Sequence, residues 1–134
     1  MDTGKITLEV ISPQGLVVKK QVDEVNSIPG SEGEFGVLPG HMCFVTTLKI
    51  GVLSYKSSGS EKYVFINSGY AEVSASNISI LADSAEKAED IDVERAIAAK
   101  QRAEERLEKE EKIDFARATA ALERATARIQ IAKR

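Results

Sequence analysis

The stretch ILADSAEKAEDIDVERA, residues 80–96, contains the point where the sequence changes from a strand pattern to a helix pattern. Before Ala85, short apolar runs rich in Val, Ile, Tyr and Phe are bounded by Gly, Ser, Asn or Pro, which is typical of β-strands. After Ala85 the chain contains no Gly or Pro and is rich in Ala, Glu, Lys and Arg, which favour helices. The sequence therefore predicts a β domain over residues 1–85 and a helical domain over residues 86–134.

The N-terminal domain is predicted to consist of short strands joined by close turns. The predicted strand segments are KITLEV, GLVVKKQVDEV, KIGVLSYK, KYVFIN, YAEV and NISILA. KSSGSEK and SASN are predicted hairpin turns, because they are small, polar and glycine- or asparagine-containing. This arrangement favours an antiparallel β-sandwich or barrel.

The C-terminal domain is predicted to be an antiparallel hairpin of two helices. Asp90 and Asp114 are candidate N-caps, and the carboxylates near Asp90 suit the positive end of a helix dipole. The apolar positions step by three and four residues, as one face of a helix requires. The two predicted stripes are Ala96, Ala99, Ala103 and Leu107, and then Phe115, Ala118, Leu122, Ala125, Ile129 and Ala132.

Two features indicate that this hairpin has more than one stable arrangement. Its packing stripes are mostly alanine, and burial contributes only about 0.8 kcal/mol per methyl or methylene group. The connector from Glu108 to Lys112 consists of good helix formers and contains no breaker, so the two helices could fuse. A permanent antiparallel hairpin is the alternative that these residues leave open.

The composition excludes several classes of function. The 134 residues are 43% hydrophobic and 29% charged, with a net charge of −3, which argues against nucleic acid as a partner. No apolar run is long enough to span a membrane, so direct membrane insertion is not expected. The N-terminus lacks the features of a signal peptide, which favours a cytosol-like compartment.

No pattern of catalytic or metal-binding residues is visible. One cysteine, Cys43, and one histidine, His41, cannot build a zinc site, and no nucleophile motif or P-loop occurs. Cys43 lies in the apolar run MCFV, which predicts a buried and inert thiol. The chain is therefore expected to have no catalytic residue, to need no metal or cofactor, and not to be an enzyme.

Three separated motifs in this order resemble the epsilon subunit of F-type rotary ATP synthases. They are GSEGEFGVLPGH, ILADSAEKAEDIDVERA and DFARATAALERATARI, and the resemblance extends over about residues 6–131. It implies a β-sandwich of two stacked sheets and a C-terminal helical hairpin. It also implies a non-catalytic central-stalk subunit on the cytoplasmic face of the bacterial plasma membrane, which couples ring rotation to the catalytic head. The hairpin would be folded down on the sandwich in the permissive state, and would restrain ATP hydrolysis when it extends towards the catalytic head.

The resemblance also implies partners and contact residues in the sandwich. The partners would be the gamma subunit, the c-subunit ring and, for an extended hairpin, the alpha/beta head. The glycine-rich segment GSEGEFGVLPGH would be a rigid loop that touches the ring, with Gly33, Gly36 and Gly40 allowing tight turns. The ring-contact residues would be Ser31, Glu32, Glu34 and His41. A structural hydrogen-bonding role for His41 is the alternative.

A second implied site is regulatory. IDVERA, residues 91–96, resembles a motif with which some bacterial epsilon subunits bind ATP, and the arginines could pair with phosphate oxygens. The candidate ATP-binding residues are Glu86, Ile91, Asp92, Arg95, Arg124 and Arg128. Plain capping and surface ion pairing by Asp92 and Arg95 is the alternative. A free-standing nucleotide-sensing module is the alternative for the whole chain.

Cations are concentrated near the C-terminus. The last eighteen residues contain five basic side chains and one acidic side chain, Glu123. In the extended state, the resemblance implies that Arg117, Arg124 and Arg128 face an acidic region of the catalytic beta subunits. Lys133 and Arg134 also suit the negative end of a helix dipole without any partner.

Overall fold

The computed structural model describes residues 5–38, 43–109 and 114–132 of the chain. It confirms the predicted order of a β domain followed by two helices. The strands are β1 (Ile6–Ser12), β2 (Gly15–Val22), β3 (Glu24–Gly30), β4 (Gly33–Val37), β5 (Phe44–Ser57), β6 (Ser60–Val73) and β7 (Asn77–Lys87). A 3₁₀ turn at Ala88–Asp90 leads into helices α1 (Val93–Lys109) and α2 (Phe115–Ala132).

The strands form one hydrogen-bonded sheet that folds back on itself. Their order is β2-β1-β7-β6-β5-β3-β4, and every pair is antiparallel except β1 with β7, which is parallel. β2 contacts β5, although three strands lie between them in the sheet. Apolar residues of all seven strands meet in one core, so the sandwich is confirmed, but continuous hydrogen bonding joins its layers.

A bend at Ser68 and Gly69 allows this folding. Both residues have positive φ, 49° and 134°, in the middle of β6. A Cβ on Gly69 would lie 2.0 Å from the carbonyl oxygen of Leu81, so only glycine fits. The Ser68 hydroxyl donates a hydrogen bond to Asp83 Oδ2 on β7, at 3.0 Å.

The bend reverses which side chains face the core. On β6, Val64 and Ile66 enter the core before the bend, whereas Ala71 and Val73 enter it afterwards. Since side chains alternate along a strand, the change from even to odd numbers means that the strand has turned over. Phe65 lies between Val64 and Ile66, so by the same alternation its fully buried side chain faces the other way, towards the helices.

The predicted strands KYVFIN and YAEV therefore belong to one continuous strand, β6, in which the bend changes which side chains face the core. Conversely, the predicted segment GLVVKKQVDEV is divided between β2 and β3. The predicted turn in KSSGSEK is confirmed: Ser58 and Gly59 both have positive φ, which suits a tight hairpin. The predicted turn in SASN is also confirmed, since the Ser74 N–H donates to the Asn77 carbonyl.

The helix caps are partly as predicted. Asp114 caps α2, because its Oδ1 accepts from the Arg117 N–H at 3.1 Å, as expected. The prediction of Asp90 as the cap of α1 is wrong. Asp90 ends the 3₁₀ turn, and Asp92 Oδ1 accepts instead from the Arg95 N–H at 3.1 Å.

The helices pack largely through small residues. Ala96 and Ala103 of α1 and Ala118 and Ala125 of α2 are buried, and the two helices contact each other. We call these four residues the alanine seam. Phe115, predicted to belong to the stripe, is instead 60% exposed at the start of α2. Of the predicted connector, Glu108 and Lys109 belong to α1, and residues 110–112 lie outside the described residues.

A second apolar cluster attaches α2 to the sheet. Phe65 of β6, Ile91, and Ala127 and Ile131 of α2 pack together and are buried. The predicted stripe did not include Ala127 or Ile131, because they lie on a different face of α2 from the alanine seam. Helix α2 therefore has two buried faces, one towards α1 and one towards the sheet.

Candidate functional site

A cleft of about 780 Å³ lies where both helices meet β7 and the turn between β1 and β2. We call it the arginine cleft, since four arginines line it. Its lining residues are Gln14, Glu86, Asp90, Asp92, Arg95, Ala96, Ala99, Arg102, Ala121, Arg124 and Arg128.

The position of the arginines follows from helix geometry. Arg95 and Arg102 are seven residues apart on α1, and Arg124 and Arg128 are four apart on α2, so each pair lies on one face of its helix. Each helix begins at an aspartate cap, which fixes where these faces start. The small side chains of Ala99 and Ala121 leave the space between the helices open.

One ion pair joins α2 to the sheet inside the cleft. Arg128 Nε donates to Glu86 Oε1 of β7 at 2.6 Å. The Arg128 guanidinium carbon also lies 4.3 Å from the centre of the Phe65 ring, within range for a cation–π contact. The two charged side chains remain 27% and 35% exposed, so the ion pair lies at the border of the cleft.

The other arginines of the cleft are not ion-paired to a described residue, although Asp90 and Asp92 also line the cleft. Within residues 5–38, 43–109 and 114–132, Arg95, Arg102 and Arg124 have no carboxylate at ion-pair distance. Asp92 is engaged as the helix cap, and Glu86 is paired with Arg128. The cleft therefore presents guanidinium groups that suit a compact anion with several oxygens, such as a polyphosphate.

The cleft contains five of the six predicted ATP-binding residues: Glu86, Asp92, Arg95, Arg124 and Arg128. Ile91 does not line it; its side chain packs against Phe65 and α2. The sequence analysis missed Arg102, Gln14 and Asp90. Arg102 could have been found, because it lies two helical turns after Arg95 on the same face. Gln14 could not, because its proximity depends on the sheet topology.

Three of the four predicted ring-contact residues, Ser31, Glu32 and Glu34, lie on a hairpin rather than in a loop. Ser31 and Glu32 form the turn between β3 and β4, and Glu34 lies on β4, where its Oε2 accepts from the Ser27 hydroxyl at 3.4 Å. His41 falls outside the described residues, as do Pro39 and Gly40. The expectation of one rigid loop is thus wrong for residues 33–37, which are paired to β3.

The glycines of this segment serve different purposes. Gly33 has a φ of +132°, as predicted for a tight turn. Gly36 does not need a positive φ. A Cβ there would lie 2.8 Å from the Asn26 carbonyl oxygen, so Gly36 instead permits close approach of β3 and β4. Cys43, expected to be buried, is exposed.

The three arginines predicted to meet the beta subunits occupy two settings. Arg124 and Arg128 line the arginine cleft, whereas Arg117 is exposed in the first turn of α2 and does not line it. A substitution of Arg117 can therefore test the predicted contact with the beta subunits without removing a side chain that lines the arginine cleft.

An apolar row runs across strands β6, β7, β1 and β2 of the sheet. Cross-strand pairing aligns Tyr70 of β6 with Leu81 of β7, Leu81 with Ile11 of β1, and Ile11 with Leu16 of β2. Tyr70 is 45% exposed and Leu16 is 59% exposed. Ile11 and Leu81 between them are half-buried, and an apolar row that reaches the surface in this way favours a protein contact.

Neither a metal site nor a membrane span is found in the described part of the chain. No group of three or more His, Cys, Asp or Glu side chains there could hold a metal ion. Neither α1 nor α2 is both long and apolar enough to cross a membrane.

Two family models together match nearly the whole chain. The beta-sandwich domain of the ATP synthase delta/epsilon chain matches residues 5–88, and the long alpha-helix domain of the same chain matches residues 89–133. The chain belongs to the ATP synthase delta/epsilon family. The predicted resemblance is therefore confirmed, and both domains of the family are present.

Curated relatives carry the same family name. The ATP synthase epsilon chain of Thermodesulfovibrio yellowstonii is 55% identical over 104 residues, which cover 78% of this chain and 74% of that protein. The ATP synthase epsilon chain of Nitratidesulfovibrio vulgaris strain DP4 is 54% identical over 100 residues, covering 75% and 74%.

Solved structures share the fold of this family member. A chain of the Euglena gracilis mitochondrial ATP synthase (OSCP/F1/c-ring, rotational state 1) matches with a TM-score of 0.80 and 25% identity, covering 95% of this chain and 81% of that chain. A chain of the Tetrahymena thermophila mitochondrial ATP synthase central stalk/c-ring matches at a TM-score of 0.55 with 12% identity, which supports the fold alone.

Proposed function

We propose that this chain is a non-catalytic subunit of the central stalk of an F-type ATP synthase. The observation that carries the proposal is the match of both domains, in order, to the delta/epsilon family. The structural match to the Euglena gracilis ATP synthase chain, which covers 95% of this chain, supports the same assignment. Because the epsilon-chain relatives are bacterial, the complex would lie on the cytoplasmic face of a bacterial plasma membrane.

The sandwich would be the anchor of the subunit. Its exposed apolar row, including Tyr70 and Leu16, would pack on the gamma subunit. The turn at Ser31 and Glu32, with Glu34 beside it and His41 further along the chain, would meet the polar loops of the c ring. Torque passes best through a rigid element, and the sandwich has the extensive apolar core that such an element needs.

The arginine cleft would bind ATP as a regulatory ligand. Arg95 and Arg102 of α1 and Arg124 and Arg128 of α2 would contact the phosphates. Asp92 would accept from the adenine amino group or a ribose hydroxyl with the oxygen that does not cap α1. Since the ligand needs both helices side by side, binding would stabilise the folded hairpin by mass action.

The helical hairpin would restrain ATP hydrolysis when it extends towards the catalytic head. Arg117, Arg124 and Arg128 would then contact an acidic region of the beta subunits. Arg124 and Arg128 would serve the nucleotide in one state and the beta subunit in the other. ATP binding and inhibition would therefore compete.

The first test measures ATP hydrolysis by the reconstituted catalytic complex. The complex contains either the full-length chain or a chain ended after Lys87, the last residue of β7. Truncation should raise hydrolysis while the complex still assembles. Unchanged hydrolysis would exclude the inhibitory role, and failure to cofractionate with the complex would favour a free-standing nucleotide sensor instead.

A matched pair of variants tests the shared arginines. Arg124→Ala should weaken both ATP binding and inhibition, since Arg124 lines the cleft. Arg117→Ala should weaken inhibition alone, since Arg117 does not line it. If Arg124→Ala leaves both quantities unchanged, the competition between nucleotide and beta subunit does not exist.

A further inference from the structure

Among the described residues, Arg128 is the one arginine of the cleft with an ion pair or a ring contact to the sheet. Its Nε bonds to Glu86 of β7, and its guanidinium lies over Phe65 of β6. Arg95, Arg102 and Arg124 make no such contact within the described residues. Arg128 thus joins the anion site between the helices to the sandwich below them.

The two sheet contacts leave most of the Arg128 donors available. A guanidinium has five N–H donors in a fixed plane, and the Glu86 contact engages only the one on Nε. The Phe65 ring, fully buried, supports one face of that plane. Together the carboxylate and the ring restrict both the position and the orientation of the remaining four N–H groups.

An arginine side chain loses considerable rotamer freedom when it binds a ligand. For Arg128 this loss already occurs when α2 docks on the sheet, since Glu86 and Phe65 then hold the side chain. An anion that binds to the docked hairpin consequently meets a prepositioned group. An undocked hairpin would have to order the same side chain at the moment of binding.

We propose that Arg128 couples anion binding in the arginine cleft to docking of the hairpin on the sandwich, with Glu86 and Phe65 as its positioning residues. The inference rests on the proposed ATP site. It explains how a ligand held between α1 and α2 stabilises the contact of the hairpin with the sheet. The coupling is reciprocal: docking strengthens anion binding, and the anion strengthens docking.

A substitution of Glu86 has to distinguish the effect of its negative charge from the effect of where its carboxylate lies. Removing a carboxylate near an anion favours binding electrostatically, so Glu86→Gln confounds two effects of opposite sign. Glu86→Asp retains the charge and shortens the side chain by one methylene, which takes the carboxylate away from Arg128 Nε. Phe65→Leu removes the aromatic face and keeps an apolar side chain under α2.

The experiment measures binding of inorganic tripolyphosphate and of ATP to the purified full-length chain by titration calorimetry. Phe65→Leu and Glu86→Asp should each weaken tripolyphosphate binding about three- to tenfold, the range expected for one cation–π or ionic contact. Ile131→Val is the matched control, since Ile131 belongs to the same apolar cluster but has no ion-pair or ring contact with Arg128. It should change the affinity less than twofold.

Hydrogen exchange of α2 supplies a readout that a loss of packing alone would not produce. Saturating tripolyphosphate should slow exchange in α2 of the wild-type chain and of Ile131→Val, and should slow it less in Phe65→Leu and Glu86→Asp. Wild-type affinity and equal protection in both positioning variants would overturn the coupling while leaving the ATP site intact. If the wild-type chain binds neither ATP nor tripolyphosphate, the proposed site and the coupling both fail.

Discussion

The sandwich and the helical hairpin are held together by different kinds of side chain. The sandwich core consists mainly of Ile, Leu and Val from all seven strands, and many of these side chains are fully buried. The hairpin depends on the alanine seam, where each buried side chain is a single methyl group. Within the described residues, the hairpin is attached to the sheet by the smaller cluster around Phe65 and Ile131 and by the ion pair of Arg128.

This contrast assigns different mechanical roles to the two parts. Hydrophobic stabilisation grows with the apolar area removed from water, so the sandwich is the more stable unit. The hairpin buries less, and a few groups decide whether it stays docked. A rigid anchor with a weakly attached regulatory element is what the proposed function requires.

The largest expected effect comes from the sandwich core. Leu8→Ala removes most of a fully buried side chain and should lower the free energy of unfolding by about 2–5 kcal/mol. Thermal unfolding followed by circular dichroism measures this loss. The comparison between the two parts would break down if Leu8→Ala affected stability no more than a substitution in the alanine seam.

A substitution under α2 should affect the hairpin and spare the sandwich. Ile131→Ala creates a cavity between α2 and the sheet and should cost about 2–4 kcal/mol of docking free energy. Amide exchange in α1 and α2 should accelerate, while exchange in β1 and β7 stays as in the wild-type chain. Equal acceleration in the strands would mean that the two parts unfold as one unit.

The bend in β6 gives a third test. Gly69→Ala places a methyl group against the Leu81 carbonyl at a φ that alanine rarely adopts, and should destabilise the sandwich by about 1–3 kcal/mol. Gly59→Ala is the control, since its hairpin turn also has positive φ but offers free space around the added methyl group. Chemical denaturation should show the larger loss for Gly69→Ala.

The smallest expected effect is at the cap of α2. Asp114→Ala removes the acceptor for the Arg117 N–H and should lower helix stability by about 1 kcal/mol. Far-ultraviolet circular dichroism of the full-length chain at rising temperature detects the loss. Asp114→Asn, which retains a side-chain acceptor, should behave nearly as the wild-type chain, and an equal loss in both variants would point away from capping.

The sequence predicted the strands and helices better than the way in which they pack together. Hydrophobic patterns predicted the β domain and both helices, and residue type predicted the Asp114 cap, because those signals are local. The single strand β6 was divided in the prediction, since Ser68 and Gly69 resemble a turn and in fact bend a continuous strand. Cys43 was misplaced because neighbouring apolar residues do not fix which side chain faces the core.

The residues of the candidate site were predictable only where neighbouring members lie on the same helix. Arg124 and Arg128 are neighbours on α2, and Arg95 belongs to a recognisable motif. The contact between Glu86 and Arg128 joins residues 42 positions apart, and no periodicity relates a strand residue to a helix residue at that separation. The role of Phe65 beneath Arg128 likewise depends on how α2 packs against β6, which no local pattern predicts.

The most direct test of a movable hairpin is a distance measured inside the assembled ATP synthase. Spin labels at Glu61→Cys on β6 and Gln130→Cys on α2, which line a common groove, would report docking in a chain whose exposed Cys43 is replaced by Ser. We predict one short distance at saturating ATP and an additional long distance after ATP is removed. A single short distance under both conditions would contradict the account and identify the hairpin as permanently docked.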